Sequence, residues 1–218
     1  NNNGSFDVQF GSIDLENGGS HSGTLTVDSG FVQFTGGTHV LADGLIVAGT
    51  GILESLSGTT QLLGGLQVDG TYQLTGGILD VGTAGILTGS GVGKLNGGTV
   101  SGDLLNSAAL TRITNNFILD DGSTITNQGT ITWTGGNPTI NTGALFLNDS
   151  TGILDSQVIS DMTGAGTFEN RGLIKRTVNN GSTNDTDFIL NFINNNGSFD
   201  VQFGSIDLEN GGSHSGTL

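Results

Sequence analysis

Residues 1–25, NNNGSFDVQFGSIDLENGGSHSGTL, return without a single change as residues 194–218. The offset is 193, so Asn1 answers to Asn194, Phe6 to Phe199 and Leu25 to Leu218. Twenty-five consecutive identities do not arise by chance. They divide the chain into one complete unit, residues 1–193, and the opening of an identical one, residues 194–218. Self-similarity at a fixed offset marks a repeat architecture in which each unit rests on its neighbours. The second copy is therefore expected to continue the same solenoid as the first.

A finer period lies inside the unit. Six segments carry an apolar residue, a small polar residue and then Gly or Asn: Phe34-Thr35-Gly36-Gly37, Leu56-Ser57-Gly58, Leu74-Thr75-Gly76-Gly77, Leu95-Asn96-Gly97-Gly98, Ile113-Thr114-Asn115-Asn116 and Trp133-Thr134-Gly135-Gly136. They are spaced by 22, 18, 21, 18 and 20 residues, and Phe10-Gly11-Ser12 extends the series backward by 24. After Pro138 the register blurs before the motif returns at Phe203, the copy of Phe10. The unit thus holds about nine turns of about 21 residues.

Around these points the chain alternates. Thr130-Ile131-Thr132-Trp133-Thr134 puts Ile131 and Trp133 on one side, and Phe199-Asp200-Val201-Gln202-Phe203 repeats the pattern. Alternation over four to six residues is the period of a half-buried strand, and Gly interrupts every stretch long enough for a helix. Gly-Gly, Asn-Gly and Asp-Gly supply the turns. A row of antiparallel β-sandwiches would also show frequent turns, but it gives no reason for a sub-repeat near 21 residues. The reading is an all-β parallel β-helix.

Composition fits a folded chain. Gly is abundant at 40 of 218 residues with a single Pro, yet 33% of residues are hydrophobic, including eleven Phe, enough to offset the entropy of ordering. Twenty acidic residues face five basic ones, for a net charge of −15. Nucleic acid needs clustered Lys and Arg and an anionic membrane surface attracts basic segments, so neither is an expected partner. Asp28, Asp43, Glu54, Asp69 and Asp80 are dispersed singly and read as solvated outward positions. There is no Cys, hence no disulfide or thiolate metal site, and no apolar run long enough to insert in a membrane as a helix.

The segments FINNNGSFDVQFGSIDLENGGSHSGTLTV, GFVQFTGGTHVL, ITNQGTITWTGG and FENRGLIKRTVNN resemble the repeat regions of very large bacterial surface or secreted exoproteins, with adhesin shafts of the filamentous-haemagglutinin and autotransporter type among them. The resemblance covers nearly the whole chain. It implies a right-handed parallel β-helix (β-solenoid) placed outside the cell, in a much longer chain, and it hands over no catalytic residues.

The residue types able to carry chemistry are the acids, amides and imidazoles. Asp120-Asp121 and Asp185-Thr186-Asp187 are the densest acid pairs. Adjacent Asp120 and Asp121 point to opposite sides if extended, whereas Asp185 and Asp187 share a side within the polar run 179–187, which reads as a loop. Asp120-Asp121-Gly122-Ser123 and Asn148-Asp149-Ser150-Thr151-Gly152 offer hard oxygens to calcium but match neither the EF-hand nor the nonapeptide calcium repeat. His21, His39 and His214 stand at no metal-ligand spacing and read as exposed strand or turn residues. Thr-x-Thr runs at 24–26, 124–126 and 130–134 do not form an unbroken lattice, because Lys94 and Arg112 interrupt it. Trp133, Tyr72 and most Phe residues are placed inside by alternation. Asn106, Asn115, Asn116, Asn127, Asn141 and Asn179 recur near strand edges, as stacked amide ladders would. No catalytic, cofactor or metal residue is assigned.

The expected role is structural and non-catalytic: the stalk, shaft or fibre of a giant bacterial cell-surface or secreted adhesin-like protein. Its partners would be neighbouring repeats stacked end to end, with host-surface or matrix glycans as outside ligands. A lateral module for glycans or calcium is the alternative, and a polysaccharide-active β-helix enzyme of the pectate-lyase type is a third.

Overall fold

The computed structural model describes residues 1–107, 110–179 and 185–216. Among them there is no helix, and all pairing between strands is parallel. Three strands make one turn, so the solenoid has three faces. The first face begins with Ser5–Val8, Thr24–Val27, Leu45–Ala48 and Gly65–Val68, continues through Leu145–Asn148 and residues 167–170 and 191–195, and ends at Gly212–Gly216. The second runs from Ser12–Leu15 and Phe31–Phe34 through Thr130–Trp133 and Leu173–Arg176 to residues 198–201. The third runs from Gly19–His21 and Thr38–Leu41 to residues 161–163 and 185–189, where Ser205–Leu208 is added. The chain is a β-solenoid of about ten turns, each of roughly 21 residues, as the fine period predicted.

Each strand points alternate side chains inward, and stacking brings like upon like. Leu45, Leu66 and Leu87 are register partners on successive rungs of the first face and all are buried. Further along, Phe146, Phe168 and Phe192 stack nearly parallel, with centroids 5.2 and 5.4 Å apart. Trp133 is fully buried and donates its indole N–H to the carbonyls of Gly135 and Gly136 at 3.1 and 3.0 Å. Burying one such aromatic or Leu side chain stabilises by about 1.5–3 kcal/mol, and the interior is continuous from Val8 to Phe192.

The corner between the second and third faces explains the Gly-Gly pairs. Gly37, Gly58, Gly77, Gly98 and Gly136 all take positive φ there, between 67° and 74°. A Cβ on Gly58 would lie 2.3 Å from the carbonyl oxygen of Gly37 one turn below, so close stacking as well as backbone conformation selects glycine.

Two details of the sequence reading are corrected. The inward position below Phe34 is Leu15, its register partner, and not Phe10, which is 84% exposed. Phe10 and Leu15 both fit a spacing near 20, and only pairing distinguishes them. Likewise the inward residue of the next rung is Ser55, with Leu56 turned half outward.

Candidate functional site

Among the described residues, the cluster of carboxylates lies on the third face. Asp161 and Asp187 are register partners, and so are Asp187 and Asp207 one rung on. Asp185 sits two residues before Asp187 on the same outward side, with Thr186 buried between them. Carboxylate oxygens of Asp185, Asp187 and Asp207 fall within 4.8 Å of one another. Desolvation, reinforced by Asp185, Asp161, Glu209 and Asp207, pushes the Asp187 carboxyl up to about 6. The shared side of Asp185 and Asp187 was legible. Their setting was not a loop, however: they open the strand Asp185–Val201, while residues 180–184 of the polar run lie outside the described residues. Asp207 escaped notice because it comes from the next turn, 20 residues beyond Asp187.

Behind this acidic face lies Arg176, which is 1% exposed. Its guanidinium donates to the Val158 carbonyl at 2.6 Å and to Thr186 Oγ1 at 2.7 Å, and Thr186 in turn donates to Val158 at 2.9 Å. Alternation in Leu173-Ile174-Lys175-Arg176 does turn Arg176 inward beside Ile174, so the signal was there to be read.

The histidines are corrected more sharply. His21 and His39 are buried, not exposed, and sandwich with Phe34: the Phe34–His39 centroids are 4.0 Å apart and those of His21–Phe34 5.2 Å. His39 Nε2 faces two acceptors, the carbonyls of Leu15 and Gly36 at 3.0 and 3.1 Å, so it carries the proton. His39 Nδ1 is then left to accept from His21 Nε2 at 3.1 Å. Burial, with His39 and the terminal amine nearby, lowers His21 to about 4, and burial lowers His39 as well. The pair is a neutral hydrogen-bonded stack inside the coil. His214, the copy of His21, is exposed in the strand Gly212–Gly216 as expected, its ring 6.1 Å from that of Phe192.

Glu54 also departs from the solvated role expected of it. It is 6% exposed and accepts from Gln33 Nε2 at 2.6 Å, Gln73 Nε2 at 3.0 Å and Thr75 Oγ1 at 2.5 Å. Along this outward line of the second face Gln33, Glu54, Gln73, Lys94, Arg112 and Thr132 follow in register, so Lys94 and Arg112 interrupt a Thr line there, whereas Thr24, Thr26, Thr124 and Thr126 lie on the first face, away from both. Tyr72 is buried against Ser55, whose hydroxyl lies 3.0 Å away, and burial pushes its phenol up to about 12.

The amide ladder is real, although its membership differs from the one expected. Asn106 Nδ2 donates to Asn127 Oδ1, Asn127 to Asn148 and Asn148 to Asn170, each at 2.8 Å, and Asn170 donates to Asn194 at 2.9 Å. All five are buried, at the end of the first-face strands. Asn148 is thus committed to the interior and does not serve Asp149-Ser150-Thr151 as a calcium ligand. Asn115 and Asn116 are exposed at a turn instead. Asp120 and Asp121 likewise sit in a turn and not in an extended strand, with the Ser123 N–H bonding back to the Asp120 carbonyl at 3.1 Å. A shallow depression lined by Thr83, Ala84, Ile86, Asp103 and Thr126 brings a single carboxylate to its wall.

Comparison of the chain with protein-family models, with curated proteins and with solved structures returned no match.

Proposed function

We propose that the chain is a length of shaft, a non-catalytic structural segment of a very large bacterial surface or secreted protein that works as stalk, adhesin body or fibre outside the cell. One observation carries the reading. The first face pairs rung on rung from Ser5–Val8 to Gly212–Gly216, so the opening of the second copy is already seated on the end of the first. In such a stack each rung gains stability from its two neighbours, and copy number sets length without altering cross-section. The acid bias, net −15, keeps neighbouring rods apart. The resemblance to exoprotein repeats supports a place outside the cell.

Small-angle scattering on chains of one to four units tests the shaft. The maximum dimension should grow by about 45 Å per unit at a rung spacing of about 4.8 Å, with a constant cross-sectional radius. Growth in girth instead of length would end the proposal. Antibody labelling of intact cells tests the location, and a signal seen only after lysis would remove it.

A second reading, a cation-binding lateral face, has the Asp185, Asp187 and Asp207 cluster in its favour, since hard cations are held by several carboxylate oxygens at once. Millimolar calcium should then raise the melting temperature of the parent chain and leave Asp187→Asn unmoved. Identical melting with calcium or chelator disposes of this reading.

A further inference from the structure

The amino-terminal end of the solenoid carries a hollow lined by Asn1, Asn2, Phe6, Leu15, His21 and Leu25. The same sequence recurs higher up, where a rung lies beneath it, and there the space is filled. Phe192 sits 6.0 Å from Phe199 and 6.1 Å from His214, the counterparts of Phe6 and His21. Phe188 is the register partner of Leu208, the counterpart of Leu15. In the second copy, therefore, the counterparts of Phe6, Leu15 and His21 rest on Phe188 and Phe192 of the rung below. The layer it completes is aromatic on both sides: Phe168 and Phe192 below, then the His, then Phe34 and His39 above.

The second copy sits in a different frame from the first. Ser5–Val8 lies on the first face, under Thr24–Val27, whereas its identical counterpart, residues 198–201, lies on the second face, over Leu173–Arg176. Ser12–Leu15 lies on the second face, whereas Ser205–Leu208 lies on the third, over residues 185–188. Gly19–His21 lies on the third face, whereas Gly212–Gly216 returns to the first, over residues 192–197. All three strands have moved on by one face together. Counting rungs gives the reason: from Ser5–Val8 to residues 198–201 the chain makes nine full turns and one further strand, 28 strand positions in all. Twenty-eight is not a multiple of three, so 193 residues do not close on a whole number of turns.

We infer that consecutive 193-residue units join as one uninterrupted solenoid, each resting its Phe6 and His21 on Phe192 of the unit before and each turned by one face, about a third of a revolution, relative to it. The partner is a second copy of this same sequence. The inference goes beyond the shaft reading, because it fixes how copies meet whatever the rod carries. Every seam has the same neighbours. Phe6 of the later unit lies between Ile174 of the earlier one and its own Leu25, and Asp14 between Asp187 and Gln33.

The Cys-free 218-residue chain permits a direct test. Partners on adjacent parallel rungs are close enough for a disulfide. Lys175 is the register partner of Asp200, so Lys175→Cys/Asp200→Cys should close a disulfide under mild oxidation, seen as loss of both thiols and a linked peptide by mass spectrometry. Were the unit a whole number of turns, residues 198–201 would rest on residues 167–170 of the first face, and Glu169→Cys/Asp200→Cys would close instead. Asp7→Cys/Thr26→Cys, register partners on the first face, fixes the frame of the first copy and should also close. All the replaced side chains point outward, and circular dichroism on the reduced variants checks that the solenoid is intact. Closure of the Glu169 pair, or failure of the Lys175 or Asp7 pair in a folded chain, overturns the inference.

Discussion

Replacing Asn148 by Leu isolates what the buried amide ladder contributes. Asn148 accepts from Asn127 at 2.8 Å and donates to Asn170 Oδ1 at 2.8 Å and to the Leu173 carbonyl at 3.2 Å. Leu keeps the branched shape and is what the same register line carries at Leu45, Leu66 and Leu87, so packing is not the issue. The cost is electrostatic. Asn170 Oδ1 loses its ladder donor, and Asn127 Nδ2 keeps only the Ile153 carbonyl at 3.1 Å. A buried polar group deprived of its partner costs about 1–3 kcal/mol, so two of them put the single variant about 2–6 kcal/mol below the parent. The pair Asn127→Leu/Asn148→Leu removes their shared bond only once, and should fall short of additivity by about 1–2 kcal/mol. Urea midpoints followed by circular dichroism read both effects, with amide exchange at the flanking rungs locating the loss. A single variant as stable as the parent, or a pair additive within about 0.3 kcal/mol, would refute the idea that the ladder acts as a connected chain.

Three further outcomes are expected. Gly58→Ala combines a left-handed backbone, φ +74°, with a Cβ 2.3 Å from the Gly37 carbonyl, and should lower stability by about 1–3 kcal/mol, whereas Gly44→Ala, also at positive φ but with open space around it, should cost less; equal losses in urea would deny the stacking term. His21, with a folded value near 4 against 6.5 in the unfolded chain, contributes stability that is present above pH 6.5 and is lost as pH falls toward 4, so melting temperature should drop over that window and the slope should flatten in His21→Phe/His39→Phe. Asp187 acts with the opposite sign. Its carboxyl is raised from 3.8 to about 6, so the fold is favoured below 3.8 and penalised as pH rises through 6, and Asp187→Asn should melt above the parent at pH 7; a lower melting point would show that the charge is needed there.

The fold was legible because its two signals are local. Alternation fixes which side chains turn inward, and Gly pairs mark the corners, so Ile131, Trp133 and Gly135-Gly136 could be placed from a dozen residues. What could not be read was the vertical partner of each strand, since that partner is about 20 residues away and the turns vary in length. Spacing alone therefore does not separate Phe10 from Leu15, and nothing near Glu54 in sequence shows that Gln33 and Gln73 bracket it from the rungs on either side. Of the amide ladder only Asn106 and Asn127 are legible; Asn148, a further 21 residues on, reads as a calcium ligand because it opens an Asp-Ser-Thr turn, and at Asn170 and Asn194 the steps lengthen to 22 and 24 residues. The clustering of Asp207 with Asp187, and the His21–His39 contact, are contacts of the same vertical kind. Residue type alone pointed the other way, toward solvent.

A rod whose segments advance by nine turns and a strand has an uneven grip on the world around it. A flat substrate lying along one flank meets any given patch once in three segments, about every 130 Å at a rung spacing of about 4.8 Å. A flexible polymer able to wind around the rod meets that patch once per segment, about every 45 Å. Multivalent avidity depends on how many contacts can be engaged simultaneously, so the same array would hold a coiling strand with three times the valency it offers a plane.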